Sequence, residues 1–230
     1  MTDPRDRLAL VLDLPDLEPA EELAKELNQW FGVAKVGLEL FSAVGPEAIS
    51  RLRALDLRVF LDLKLHDIPT TVGRAARVLG RYGATYVNFH AAGGVDMMRA
   101  AVEGLSEGAR DGGHPGPVPI AVTVLTSDPN TSAFDARLHD AIESGCRGVV
   151  CAAHEVARVH AARPDFVTIV PGVRFAEDAP NDQARVATPD GAIREGADLL
   201  VVGRAVTAAD DPRAAAQRVY ETVAAAIARF

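Results

Sequence analysis

The chain has 230 residues, of which 48% are hydrophobic and 24% are charged. This composition is that of an ordinary globular protein, and it excludes extensive disorder. The formal net charge of -8 argues against a protein that holds nucleic acid by nonspecific attraction. The charged N-terminal stretch has no signal-peptide apolar region, and no apolar run is long enough for a membrane span. We therefore expect a cytoplasmic protein that binds neither nucleic acid nor membrane.

Eight short apolar segments alternate with helical patterns along the chain. The predicted strands are Leu8–Leu14, Ala34–Leu38, Val59–Leu65, Thr85–His90, Pro119–Leu125, Gly148–Ala152, Phe166–Val170 and Leu199–Gly203. Three of the intervening helices are expected to end at a glycine just before the next strand, at Gly83, Gly145 and Gly196. Such alternation implies a parallel sheet. Eight units in a chain of this length predict an α/β fold, a closed (β/α)8 TIM barrel forming one domain over residues 1–230.

The two cysteines, Cys146 and Cys151, lie five positions apart around a helix-to-strand junction. This spacing indicates neither a disulfide framework nor a zinc site. We expect both thiols to be reduced and buried, and to pack as small hydrophobic side chains.

The third predicted strand carries two charges inside an apolar segment. Asp62 and Lys64 share one face of that strand, because side chains alternate between faces, and the leucines around them share the other. Asp67 follows as the strand ends, and Pro69 can open a helix. A solvated ion pair is the ordinary interpretation of such a spacing. The barrel context favours a functional site, because charges at strand ends converge on the mouth of a barrel.

Other strands repeat this device near their carboxyl ends. The residues expected to point into the barrel are Asp13, Lys35, Asp62, Lys64 and His90, with large aliphatic side chains facing the helices. Two of these interpretations stay open at this point. Asp13 could instead cap a neighbouring turn. His90 could equally be a core histidine with its hydrogen bonds satisfied.

Two glycine and arginine pairs indicate a phosphate site. Gly172 and Arg174 follow the seventh strand, and Gly203 and Arg204 follow the eighth. Loops at these positions of a barrel often bind phosphate through backbone N–H groups, and arginine adds bidentate hydrogen bonds. The long irregular stretch 171–188 is expected to be functional. The alternative is that both arginines only decorate barrel loops.

The pattern Asp62-x-Lys64-x-x-Asp67-Ile68-Pro69-x-Thr71 resembles the signature of the orotidine 5'-monophosphate decarboxylase family. The resemblance spans nearly the whole chain and includes Asp13, Lys35-Val36-Gly37, Leu125-Thr126-Ser127, Pro171–Arg174, Gln183 and Gly203-Arg204. The Asp-x-Lys-x-x-Asp core is shared with sugar-phosphate decarboxylases and a formaldehyde-fixing aldolase. The Ile-Pro-x-Thr continuation and Gln183 favour the pyrimidine enzymes.

This resemblance implies cofactor-free decarboxylation of orotidine 5'-monophosphate to uridine 5'-monophosphate, the last step of de novo synthesis of that nucleotide. Lys64 would protonate a carbanion at C6, Asp62 and Lys35 would alternate charge with it, and Asp67 would enter from the neighbouring subunit of a homodimer. The implied substrate-binding residues are Asp13, Lys35, Thr71, Thr126, Arg174, Gln183, Gly203 and Arg204. No metal ligand is implied.

Two alternatives remain at this point. The first is a magnesium-dependent 3-keto-gulonate-phosphate decarboxylase of the same superfamily, which a metal requirement would reveal. The second is a barrel that binds a phosphate ligand without catalysis. Lys64 and Asp62 together argue against the second, because binding an anion does not need a carboxylate beside the reacting centre.

Overall fold

The computed structural model describes residues 3–175 and 187–229. Its eight parallel strands pair in chain order and form a closed barrel, in which β1 also pairs with β8. The strands are β1 (Leu8–Val11), β2 (Val33–Val36), β3 (Arg58–Leu65), β4 (Tyr86–His90), β5 (Val118–Val122), β6 (Gly148–Val150), β7 (Val167–Val170) and β8 (Leu199–Val202). The predicted fold class is therefore confirmed.

Helices follow the strands on the outside of the barrel. Their bounds are α1 (Leu17–Leu27), α2 (Leu38–Val44), α3 (Glu47–Arg53), α4 (Pro69–Gly80), α5 (Gly94–Gly112), α6 (Phe134–Glu143), α7 (Val156–Ala162), α8 (Pro189–Arg194), α9 (Arg204–Thr207) and α10 (Pro212–Ile227). Of the helices in the described part of the chain, none is long and apolar enough to cross a membrane.

The helix ends predicted at Gly145 and Gly196 are confirmed, as are both cysteine environments. Gly145 and Gly196 directly follow the C-cap residues of α6 and α8, and their φ angles of 85° and 95° are left-handed, as is typical after a helix. Gly83 also has a left-handed φ angle, of 74°, but α4 already ends at Gly80, so Gly83 lies in the turn that follows this helix. Cys146 and Cys151 are both free and buried. Burial raises the pKa of the Cys146 thiol to about 11, so this thiol is protonated and unreactive at neutral pH.

Several strands are shorter than the apolar pattern predicts. β1 ends at Val11 rather than Leu14, and β5 ends at Val122 rather than Leu125. The pattern continues because Leu12 and Val124 are still buried after the last paired residue. Asp13 and Thr126 consequently lie in the loops that follow these strands. The backbone there is not paired with a neighbouring strand, and it forms part of the mouth of the barrel.

Two apolar layers stabilise the barrel. One lies between the sheet and the helices and contains most of the buried leucines and valines. The other fills the barrel below the mouth and includes Ile120, Ile169 and the rings of Phe60 and Tyr86, which meet edge to face at 6.2 Å. Large aliphatic residues therefore lie on both faces of the sheet, not only toward the helices. The inner layer therefore forms an apolar floor below the charged mouth.

Helices α4 and α5 pack backbone against backbone along a row of glycines. A Cβ atom on Gly104 would lie 2.2 Å from the carbonyl oxygen of Gly73, and one on Gly108 would lie 2.0 Å from that of Arg77. Neither distance is compatible with a side chain unless the helices separate. This contact fixes α4, which begins four residues after the last residue of the charged strand β3.

We expect Gly108→Ala to destabilise the protein by about 1–3 kcal/mol, as overpacking does, despite the better helix propensity of alanine. Urea unfolding followed by circular dichroism measures this difference. Gly116→Ala is the matched control, because an added Cβ there meets no atom within 4 Å. Equal stabilities for the two variants would show that the α4–α5 contact yields without cost.

Candidate active site

The carboxyl ends of the strands open into a cavity of about 810 Å³. Most of the predicted site residues line it, namely Asp13, Lys35, Asp62, Lys64, Thr126, Arg174, Gly203 and Arg204. These residues come from the ends of six strands and the loops that follow them. The closed barrel therefore brings together residues that are up to about 190 positions apart in the sequence, as this architecture does in general.

Four charged side chains form an alternating array at the mouth. Lys35 Nζ donates a hydrogen bond to Asp13 Oδ1 at 2.9 Å and lies 3.5 Å from Asp62 Oδ2. Lys64 Nζ donates to Asp62 Oδ1 at 2.6 Å. The Lys35 side chain is only 8% exposed and that of Asp62 is 16% exposed. The order along the array is therefore Asp13, Lys35, Asp62 and Lys64, with each charge beside one of opposite sign.

The pKa of the Asp62 carboxylate is set by opposing effects. Burial alone would raise the pKa of Asp62, but the charges of Lys35 and Lys64 oppose this. Hydrogen bonds from Lys64 and Asn88 act in the same direction as the charges. The net effect holds the pKa of Asp62 below its usual value. Asp62 is therefore an anion at neutral pH despite its burial.

Gly37 leaves the space that this array needs. A Cβ atom at this position would lie 2.4 Å from Asp13 Oδ1 and 2.8 Å from Lys35 Nζ. Any larger residue would therefore displace the ion pair between Asp13 and Lys35. This explains in physical terms the glycine of the Lys35-Val36-Gly37 segment.

Asn88 belongs to the site, although sequence reasoning did not select it. Its side chain is fully buried on β4. Asn88 Nδ2 donates to Asp62 Oδ1 at 2.6 Å, and Asn88 Oδ1 accepts from the backbone N–H of Lys64 at 2.7 Å. A signal was present in the sequence, since an amide between Val87 and Phe89 in a buried strand requires hydrogen-bond partners.

Arginines and glycines from β7 and β8 surround the opposite side of the cavity. Gly172 has a φ angle of 74°, which turns the chain after β7. Arg174 N donates to the carbonyl oxygen of Ala187 at 3.0 Å, so the described ends of the 171–188 loop meet. Arg204 begins the short helix α9 directly after Gly203. The predicted site residue Gln183 lies outside the described residues.

Two predicted site residues do not line the cavity of their own chain. Asp67 and Thr71 are exposed near the start of α4, and Asp67 Oδ1 accepts from the backbone N–H of Ile68 at 2.7 Å. Ile68, between them, is 66% exposed. If either residue contacts a ligand in the cavity, it must therefore belong to a second copy of the chain or move.

His90 also lies outside the cavity lining. Its Nδ1 accepts from the backbone N–H of Ala92 at 3.1 Å, and its ring stacks on His66 with the centroids 5.4 Å apart. Burial lowers the pKa of His90, and the positive charges of Arg137 and Lys64 add to that effect. Of the two interpretations left open by the sequence, the structure favours a neutral histidine packed in the barrel wall.

The fold and this cavity define a (β/α)8-barrel enzyme whose site combines a buried charge array with an arginine-rich end. Residues 6–219 match a family model described as Orotidine 5'-phosphate decarboxylase / HUMPS family. The chain belongs to this family.

Individual proteins similar to this chain are orotidine 5'-phosphate decarboxylases. An orotidine 5'-phosphate decarboxylase from Anaeromyxobacter dehalogenans is 45% identical, covering 94% of this chain and 97% of that protein. One from Streptococcus thermophilus is 46% identical, covering 91% and 94%. The crystal structure of the enzyme from Lactobacillus acidophilus is 34% identical, with a TM-score of 0.79 and coverage of 94% and 98%. The predicted family and the predicted enzyme class, a carboxy-lyase, are confirmed.

We expect the stabilising effect of the Asp62 charge to disappear in acid. A carboxyl group whose pKa is lowered by folding stabilises the protein above its unfolded pKa, and this stabilisation is lost as pH falls through the folded pKa. The free energy of unfolding of the wild type, relative to Asp62→Asn, should therefore decrease between pH 7 and about pH 3. Urea unfolding at several pH values measures this difference. A difference independent of pH would contradict the lowered pKa, and Glu103→Gln on the exposed surface of α5 controls for general charge effects.

Proposed function

We propose that this chain decarboxylates orotidine 5'-monophosphate to uridine 5'-monophosphate, the last step of de novo synthesis of that nucleotide, without a metal or organic cofactor. One observation carries this proposal, which is the alternating array of Lys35, Asp62 and Lys64 at the mouth of the barrel. The names of the relatives support the substrate, and the two arginines across the same cavity suit its phosphate.

The proposed chemistry depends on Lys64. Loss of CO2 from C6 of the pyrimidine leaves a carbanion in the plane of the ring, which the π-system cannot delocalise. A fixed ammonium group stabilises that charge as it develops and then donates a proton to C6. Asp62 holds Lys64 Nζ at 2.6 Å, which supports a positioning role. Repulsion between Asp62 and the departing carboxylate would act in addition to this positioning.

The remaining site residues of the proposal hold the non-reacting parts of the substrate. We assign the ribose hydroxyl groups to Asp13 and Lys35, which already share a hydrogen bond at 2.9 Å. Thr126 faces the pyrimidine from the loop after β5. The phosphate-binding residues of the proposal are Arg174, Gln183, Gly203 and Arg204. Energy from phosphate binding can then lower the barrier at the distant C6, as remote contacts do in many enzymes.

The composition of the array supports the proposed independence of a cofactor. Both carboxylates of the array already contact lysine ammonium groups, and these compete with a divalent cation for the same oxygen atoms. A magnesium-dependent sugar-phosphate decarboxylase would need those oxygen atoms as ligands. We therefore favour the pyrimidine enzyme over this alternative.

We further propose a homodimer in which Asp67 and Thr71 complete the cavity of the partner. Both are exposed and lie outside the cavity of their own chain, next to the exposed Ile68. We also propose that residues 1–230 act as a single decarboxylase domain, which the closed barrel from Leu8 to Val202 supports. The cytoplasmic location stays a prediction.

Purified protein should convert orotidine 5'-monophosphate in the presence of excess chelator. The substitution Lys64→Ala should reduce kcat by more than about 10²-fold, because it removes both the proton donor and the positive charge. The loss of orotate-type ultraviolet absorbance measures both results. Lys25→Ala on the surface of α1 is the matched control and should behave as the wild type. Activity restored only by magnesium would support the metal-dependent alternative. A native-like Lys64→Ala with less than about tenfold loss would exclude Lys64 as the donor.

Mixing Asp67→Ala with Lys64→Ala subunits should restore activity, because each heterodimer would contain one intact cavity. Equal amounts at full exchange should recover about a quarter of wild-type activity, since half of the dimers are mixed and each has one working site. The control mixes Asp62→Asn with Lys64→Ala, which damage both cavities of every heterodimer. No recovery in the first mixture, with subunit exchange verified by mass spectrometry, would refute the shared site.

A further inference from the structure

We propose that Asn88 is a positioning residue for decarboxylation, which sets both the Asp62 carboxylate and the backbone that carries Lys64. This inference rests on the proposed function and extends it to a residue outside the charge array. Two observations support it. Asn88 lies opposite an irregular segment of β3, and its side chain forms two short hydrogen bonds.

The pairing of β3 with β4 is irregular at the reacting end of the barrel. Leu61 pairs with Val87 and Leu65 pairs with Phe89, and the register shifts between these pairs. Three residues of β3, at positions 62–64, therefore face the single residue Asn88 of β4. Such a bulge bends a strand and changes the direction in which a side chain points.

The backbone of Lys64 is also unusual. Its φ angle is 49°, in the left-handed region that residues other than glycine rarely adopt. A strained conformation of this kind persists only where the surrounding structure enforces it, and it is concentrated at functional sites. The hydrogen bond from Lys64 N to Asn88 Oδ1, at 2.7 Å, takes the place of a ladder bond within the bulge.

An amide is the side chain that fits this position. Asn88 accepts from Lys64 N through Oδ1 and donates to Asp62 Oδ1 through Nδ2 at 2.6 Å. A carboxylate at the same position would keep the acceptor but would repel Asp62. An aliphatic side chain would satisfy neither partner, and the Lys64 N–H would lose its hydrogen bond. Asn88 thus couples the carboxylate and the proton donor from one buried point.

The experiment compares Asn88→Asp and Asn88→Ala with the wild type. We expect kcat to fall by about 10²-fold in both, because a small displacement of reacting groups has that effect, while KM changes little. Asn88→Asp places a second carboxyl group against Asp62, so its pH–rate profile should gain an ionisation absent from the wild type. The matched control is Thr168→Val. This substitution removes the hydroxyl group of a fully buried strand residue, which forms hydrogen bonds with Asp198 at the other end of the barrel. This control should lose stability but keep kcat.

Hydrogen exchange of the Lys64 amide separates this inference from the proposed function. Asn88→Ala should accelerate exchange by at least about fivefold, the effect of one hydrogen bond, whereas Asn88→Asp should preserve protection. This readout stands even if the wild type does not turn over orotidine 5'-monophosphate. Folded Asn88→Asp with wild-type kcat and pH profile would overturn the inference, as would unchanged amide exchange in Asn88→Ala. If Asn88→Ala does not fold, Asn88→Ser takes its place in the exchange measurement.

Discussion

The site depends on one arrangement, a buried carboxylate held between two ammonium groups. Isolated charges are costly to bury, and a buried ion pair repays that cost only when its geometry and its other hydrogen bonds are good. Asp62 meets this condition through Lys35, Lys64 and Asn88. Loss of either ammonium group would leave an excess of negative charge at the barrel mouth, and loss of Asn88 would remove a hydrogen bond from the Asp62 carboxylate. The stability of the array therefore depends on all of these residues.

The surrounding structure supplies the rigidity that this arrangement needs. The apolar layer below the array, with Phe60 and Tyr86, excludes water from its lower side. The glycine row between α4 and α5 fixes the helix that begins four residues after Leu65. An ammonium group held in place before the reaction needs little reorganisation when charge develops, and this is the main source of electrostatic catalysis. The strained backbone of Lys64 is consistent with a site held by its scaffold.

Much of the fold and of the site could be predicted from the sequence, because the signals are local. Apolar segments and C-capping glycines define the barrel, and the spacing of Asp62 and Lys64 places them on one face. The bulge in β3 could not be predicted, because the period of two assumes a regular strand. The partners of Asn88 could not be predicted for the same reason, since they depend on the register shift. The packing of α4 against α5 through glycines could not be predicted either, because it depends on tertiary contacts that a local sequence pattern does not indicate.

The charges that line the cavity differ from the net charge of the whole chain. The chain carries a net charge of -8, so its overall field opposes an anionic substrate. Among the described lining residues, four cations stand against three carboxylates, which are Asp13, Glu39 and Asp62. The cations beyond the array, Arg174 and Arg204, lie at the β7 and β8 end. Attraction for an anion is thus concentrated at the β7 and β8 end, whereas the two lysines and two aspartates of the array balance in charge. In the proposed reaction, the substrate carboxylate lies near Asp62, and these two negative charges repel each other. Contacts to the phosphate at the distant end of the cavity would compensate for this repulsion.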